Sequence, residues 1–207
     1  MNGINGSRGS GRTAEEQRDT KETRIRVWLD LDGTGQASIA TGVGMLDHLL
    51  EQIARHGLID LEVEAQGDLH IDAHHTVKDV GICLGRAFGS ALGDRAGIVR
   101  TAHAIVPLDE SLSMVVVDIR GRGHASIDLP FHGERIGELP TEMVSHFLKS
   151  FAEQARLTLH VRLMAGENDH HRAESAFKAL ARALAAATRL DPRIAGVVPS
   201  SKGVLEH

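Results

Sequence analysis

HHTVKDVGICLG, residues 74–85, and HHRAESAFKALARAL, residues 170–184, decide the reading of this chain. Each opens on a histidine pair and then switches to helical spacing: Val77, Val80, Leu84, Phe88 and Ala91 in the first, Phe177, Leu180 and Leu184 in the second. Each also follows strand-like sequence. LIDLEVEAQGDLHIDA (58–73) reads as two alternating strands around a QGD turn, with His70 on the more polar face of the second. LTLHVRLM (157–164) alternates Leu157, Leu159, Val161 and Leu163 before a GEND turn.

Working outward, the same grammar recurs upstream of both segments. RIRVWLDLDGTG (24–35) places Ile25, Val27, Leu29 and Leu31 on alternate positions and predicts a half-buried strand entering a hairpin. MLDHLLEQIARHG (45–57) predicts a helix with an apolar stripe of Leu46, Leu49, Leu50, Ile53 and Ala54, closed by Gly57; His48, Gln52 and His56 stack on its other side. In the second half, AIVPLDESLSMVVVDIRGRGHASIDLPF offers strands and turns. Pro140 and Thr141 then introduce a helix carrying Met143, Val144, Phe147, Leu148 and Phe151, with His146 on the opposite face. His74 to His170 and His75 to His171 are both 96 residues apart, and His48 to His146 is 98. Three histidine pairs at nearly equal offsets argue for duplication. The expected fold is therefore α+β, with two tandem pseudo-symmetric repeats, residues 18–97 and 98–207, packed as one compact body behind a flexible tail at 1–17.

Composition narrows the functional class. A net charge of −5 with no tyrosine argues against a nucleic-acid surface built from basic grooves and stacking rings. No apolar run approaches a membrane span, and the polar, Gly/Ser-rich start does not read as a secretory signal, so a cytoplasmic location is expected. The single Cys83 fits a helix core in a reducing compartment. The outlier is histidine, at thirteen residues.

Within HHRAE, helical spacing brings His170 or His171 together with Glu174, so imidazole and carboxylate can converge on one ion. Nitrogen and oxygen donors without thiolate suit Mn, Fe, Zn or Ni. Adjacent helical side chains diverge by about 100°, so each histidine pair is expected to serve two different metals. PSSKG (199–203) offers hydroxyls, backbone amides and Lys202 for a phosphate, to which Arg100 and Arg122 can add charge.

Taken together, TKETRIRV, DGTG, TGVGMLDHLLEQIARHG, HHTV, VPLDESL, TEMVSHF, NDHHRAESAFKA and PSSKG resemble imidazoleglycerol-phosphate dehydratase, a hydro-lyase of histidine biosynthesis. The resemblance implies helices packed against four-stranded sheets, of the ribosomal protein S5 domain 2-like kind, in a 24-subunit homo-oligomer with active sites at subunit contacts. It implies two Mn²⁺ ions per site, held by His48, His74, His75, His146, His170, His171 and Glu174. Substrate contacts fall on Glu22, His48, His56, His74, His75, Arg100, Arg122, His170, His171, Ser200, Ser201 and Lys202. Glu22, His56 and Glu174 are the acid–base candidates. The implied reaction dehydrates D-erythro-imidazole-glycerol phosphate to imidazole-acetol phosphate by way of an imidazolate. The family has Glu where this chain has Lys78. A protonated lysine has no lone pair to donate to a metal, so one metal site is expected to be weak or empty and activity low. The rival readings are a non-catalytic metal-binding assembly, which leaves the arginines and the SSK tail without a task, and a metal-dependent hydrolase.

Overall fold

The computed structural model describes residues 11–203 and Leu205. Its first half runs β1 (Thr13–Asp19), β2 (Thr23–Asp30), β3 (Ala37–Ala40), α1 (Gly44–Gly57), β4 (Asp60–Gly67) and α2 (His74–Ala91). Its second half runs β5 (Thr101–Leu108), β6 (Ser111–Asp118), β7 (His124–Asp128), the short pair β8 (Arg135–Ile136) and β9 (Leu139–Pro140), α3 (Thr141–Gln154), β10 (Thr158–Ala165) and α4 (Asp169–Thr188).

The two four-stranded sheets have the same topology. Strand order is β1-β2-β4-β3 in one and β5-β6-β10-β7 in the other, and the last pair is parallel in each, Ala37–Ala40 against Leu61–Glu64 and His124–Asp128 against Thr158–Arg162. Four helices over two like sheets make the α+β double repeat that the offsets predict. Alternation explains the central strands: β2 and β6 bury every second residue, Ile25, Val27 and Leu29 in one, Val115 and Val117 in the other, under the second helix of their own repeat.

The halves are joined by an exchange of helix contacts. α2 packs on its own sheet and also on α3, while α4 packs on its own sheet and on α1. Gly81 and Gly85 make the first contact possible. A Cβ at Gly85 would stand 2.6 Å from the carbonyl oxygen of Phe151, and one at Gly81 3.0 Å from that of Phe147. A single core cluster runs through both repeats, with Phe88 and Phe151 edge to face at 5.6 Å and Phe147 stacked on Phe177 at 5.5 Å. Cys83 is fully buried within it, and burial pushes its thiol up to about 12.

Four local expectations need correction. Strand β1 occupies Thr13–Asp19, beginning within the expected tail and crossing its end at residue 17; TAEEQRD has no apolar alternation, and β1 is held as an edge by pairing with β2 from Thr13↔Asp30 to Asp19↔Arg24. Residues 1–10 of that tail lie outside the described residues. The turn after β2 does not make a hairpin: Thr34 and Gln36 donate backbone N–H bonds of 2.8 Å to Asp60 Oδ1, steering the chain to β3, which pairs with β4. Residues 68–73 form turns rather than a second strand, and Ile71 is exposed. Gly57 is the last helical residue of α1, and the left-handed conformation falls on Leu58 at φ 54°.

Candidate metal and substrate site

The exchange of helices decides which histidines meet. Because α1 lies on α4, His48 from the first repeat faces His170 from the second, with ring centroids 5.3 Å apart. Glu174, one turn beyond His170, completes the group: its Oε2 lies 2.9 Å from His48 Nε2 and 3.0 Å from His170 Nε2. One ligand atom from each of these three residues lies within 4.8 Å of the others, and this is the only such His/Cys/Asp/Glu group among the described residues. Lys178 holds the other carboxylate oxygen, Oε1, at 2.6 Å. Burial opposes ionisation of Glu174, but Lys178, His48 and His170 outweigh it and bring the carboxyl down to about 2.

The pseudo-symmetric counterpart lies between α2 and α3. His74 and His146 have ring centroids 5.2 Å apart, nearly the spacing of His48 and His170. Lys78 stands one turn beyond His74, where Glu174 stands relative to His170. Two of the three donors are thus repeated and the carboxylate is not.

The second histidine of each pair turns away, with rings T-shaped at 5.9 Å for His74 and His75 and at 6.1 Å for His170 and His171. His75 Nδ1 lies 3.0 Å from Asp68 Oδ2, and Glu22 Oε2 is 3.7 Å from its Nε2. His171 mirrors this, 2.7 Å from Glu110 and 3.8 Å from Asp109. The hydrogen bond to Asp68 raises the His75 pKa, and that to Glu110 raises the His171 pKa. A carboxylate on Nδ1 fixes each ring and leaves Nε2 forward, the arrangement that orients metal-ligating histidines. Asp68, Asp109 and Glu110 escaped the sequence reading, although Asp109 and Glu110 stand inside the quoted VPLDESL.

Of the acid–base candidates, His56 lies on α1 near Lys178 and Arg182 of α4, where burial first and those charges second lower its pKa. It shares the α1–α4 side with Glu174. Glu22 lies apart, beside His75.

The anion residues gather in a separate cleft of about 150 Å³ lined by Arg100, Arg120, Arg122, Ser200, Ser201, Lys202 and Leu205. Arg100, at φ 76°, makes a two-pronged contact with Asp118 at 2.7 and 3.1 Å and donates to the Pro199 carbonyl at 2.7 Å, pinning the C-terminal segment to the β5–β6 sheet. Arg120 was not anticipated; its signal is RGR, residues 120–122, a second arginine on the same turn. No residue of the cleft belongs to either histidine cluster.

The family model for imidazoleglycerol-phosphate dehydratase matches residues 41–184. The chain is 57% identical over 194 residues to the imidazoleglycerol-phosphate dehydratase of Methylibium petroleiphilum, covering 94% of this chain and 98% of that one. It is 54% identical over 196 residues to that of Roseiflexus sp., covering 95% and 98%. Among solved structures, imidazoleglycerol-phosphate dehydratase from Staphylococcus aureus is similar at a TM-score of 0.79 and 35% identity, covering 86% of this chain and 99% of that one. The enzyme from Pyrococcus furiosus, in complex with (S)-C348, is similar at 0.78 and 34%, covering 91% and 99%.

Proposed function

The chain belongs to the imidazoleglycerol-phosphate dehydratase family, hydro-lyases of histidine biosynthesis, and from that premise we propose how its own residues divide the work. His48, His170 and Glu174 hold a divalent metal, for which Mn²⁺ is our choice. The donor set supports this: two imidazole nitrogens and a carboxylate oxygen, converging from two helices, suit a borderline or hard dication. His75 and His171, each oriented by a carboxylate, offer Nε2 to a neighbouring subunit's half-site, in a homo-oligomer of 24 copies that also brings the anion cleft to the metals. The separation of that cleft from the histidine clusters within one chain supports a site completed between copies. The two repeats, 18–97 and 98–207, form a single body in this reading, and the cytoplasm is its location.

A bound dication would supply positive charge that favours an imidazolate form of the substrate ring. The chain's own residues do the rest. Arg100, Arg120, Arg122, Ser200, Ser201 and Lys202 hold the substrate phosphate through charge-assisted bonds. His56, kept neutral by burial and flanking cations, accepts a proton; Glu174, ionised at neutral pH, can accept but not donate; Glu22, beside His75, is the remaining acid–base group.

Lys78 does not fit the metal role. His74 and His146 lack the carboxylate that completes the other cluster, and an ammonium stands one turn from His74. We infer that this half-site binds metal weakly and that turnover of this form is low. The convergence of His48, His170 and Glu174 carries the reading. The test is manganese-dependent conversion of imidazole-glycerol phosphate to the acetol phosphate by the protein and by Lys78→Glu. Absence of turnover in both, with Mn²⁺ supplied, overturns it in favour of a non-catalytic metal-binding assembly.

A further inference from the structure

At the far end of α2 and α3 lies a cleft of about 500 Å³, outside both histidine clusters and the C-terminal cleft, whose walls include Glu16, Arg86, Arg95, Gln154 and Arg156. It is remote from the histidine clusters. His74 is the first residue of α2, and at a rise of 1.5 Å per residue Arg86 and Ser90 in the cleft wall stand about 18–24 Å away along the helix.

Arg95 makes this cleft unusual. It is only 6% exposed, yet among the described residues its Nε and Nη1 have no hydrogen-bond partner, and the charge that acts on it is another cation, Arg156. An arginine does not escape burial by losing its proton, so an unpaired buried guanidinium is strongly unfavourable unless an anion meets it. The carbonyl ends of α2 and α3 favour cations here, but neither buried nitrogen bonds to them. Arg86 is already engaged, 2.9 Å from Gln154 Oε1 and 3.5 Å from Glu16 Oε1. Arg156 has no ion pair among the described residues. Once Glu16 is set against Arg86, two guanidinium groups remain uncompensated.

We propose that Arg95 and Arg156 form a second anion site, distinct from the C-terminal cleft, that binds a phosphate dianion, inorganic or as a small monoester. Two forked donors fit the three oxygens of a phosphate better than the two of a carboxylate, and a charge of about −1.5 to −2 at neutral pH balances both cations. Glu16 narrows the choice of ligand by repelling anions that approach on its side. The site stands independently of the dehydratase reading, because it is observed through binding.

The experiment is titration calorimetry of the full-length protein with inorganic phosphate in phosphate-free buffer, repeated with glycerol 3-phosphate to tell free from esterified ligand. Two phosphates per chain are expected. Lys202→Ala should remove the one in the C-terminal cleft, and Arg95→Met the other, leaving one. Arg95→Lys should keep the charge but bind at least tenfold more weakly. Arg156→Ala, an exposed change, should weaken the same event tenfold and serves if Arg95→Met does not fold. The proposal is overturned if Arg95→Met and Arg156→Ala leave stoichiometry and affinity unchanged. It is equally overturned if only one phosphate binds and Arg95→Met instead alters the mass of the assembly, since a carboxylate from a second copy then fills the cleft.

Discussion

Replacing Lys78 with glutamate is the sharpest perturbation the two-fold pattern offers, because the protein carries its own control. His48, His170 and Glu174 form a three-donor group with ligand atoms within 4.8 Å, while His74 and His146, at nearly the same ring spacing, lack the third donor. A unit charge about 8 Å from a dication interacts with it by about 4 kcal/mol at an effective dielectric of 20, and 1.4 kcal/mol is tenfold in affinity. Removing a like charge beside a dication therefore favours metal binding by roughly three orders of magnitude, before the new carboxylate donates at all. Dialysed protein should hold about one tight Mn²⁺ per chain by elemental analysis, and Lys78→Glu about two. Lys78→Met, which removes the charge but supplies no hard donor, should fall between them in affinity and give no second tight site. Two tight ions per chain in the unmodified protein would refute the reasoning, because His74 and His146 would then bind without the carboxylate.

Three further outcomes are expected. In metal-free protein, Glu174 is held at about 2 against an ordinary 4.5, so its stabilisation is present above 4.5 and lost as pH falls through about 2. The melting-temperature gap between the protein and Glu174→Gln should thus be full at neutral pH and close on acidification; a constant gap contradicts the assigned cause. Gly85→Ala should destabilise by about 1–3 kcal/mol in urea unfolding, because its Cβ would meet the Phe151 carbonyl at 2.6 Å and α2 must draw back from α3. In steady-state kinetics of Lys78→Glu protein, Arg120→Ala should raise KM for imidazole-glycerol phosphate about tenfold with little change in kcat, as expected for a group that holds phosphate equally in ground and transition states; a fall in kcat alone places Arg120 elsewhere.

Much of the fold was legible because its signals are local. Period-two burial marks β2 and β6, period 3.6 marks the four helices, and the offset of 96 residues between histidine pairs marks the duplication. What escaped was set by partners. β1 is polar on both faces and exists because β2 offers it a ladder, and the turn after β2 follows Asp60, twenty-six residues from Thr34. Leu69, His70 and Ile71 alternate like a strand but pair with no strand among the described residues and lie exposed in turns.

At the candidate site, the sequence by itself singled out the donor types and the odd lysine, because residues four apart on a helix share a face whatever surrounds them. It determined that Glu174 shares a face with His170 or His171 and that Lys78 breaks the matching turn; the structure chose His170. Only the tertiary structure decided that His48 joins His170 and Glu174, and that His146 joins His74 and not the residues of its own repeat. The reason is the exchange of helices between halves: α1 buries its stripe against α4, and α2, notched by Gly81 and Gly85, against α3. Each cluster is therefore assembled from both repeats, and no spacing along the chain records which helix a buried face meets.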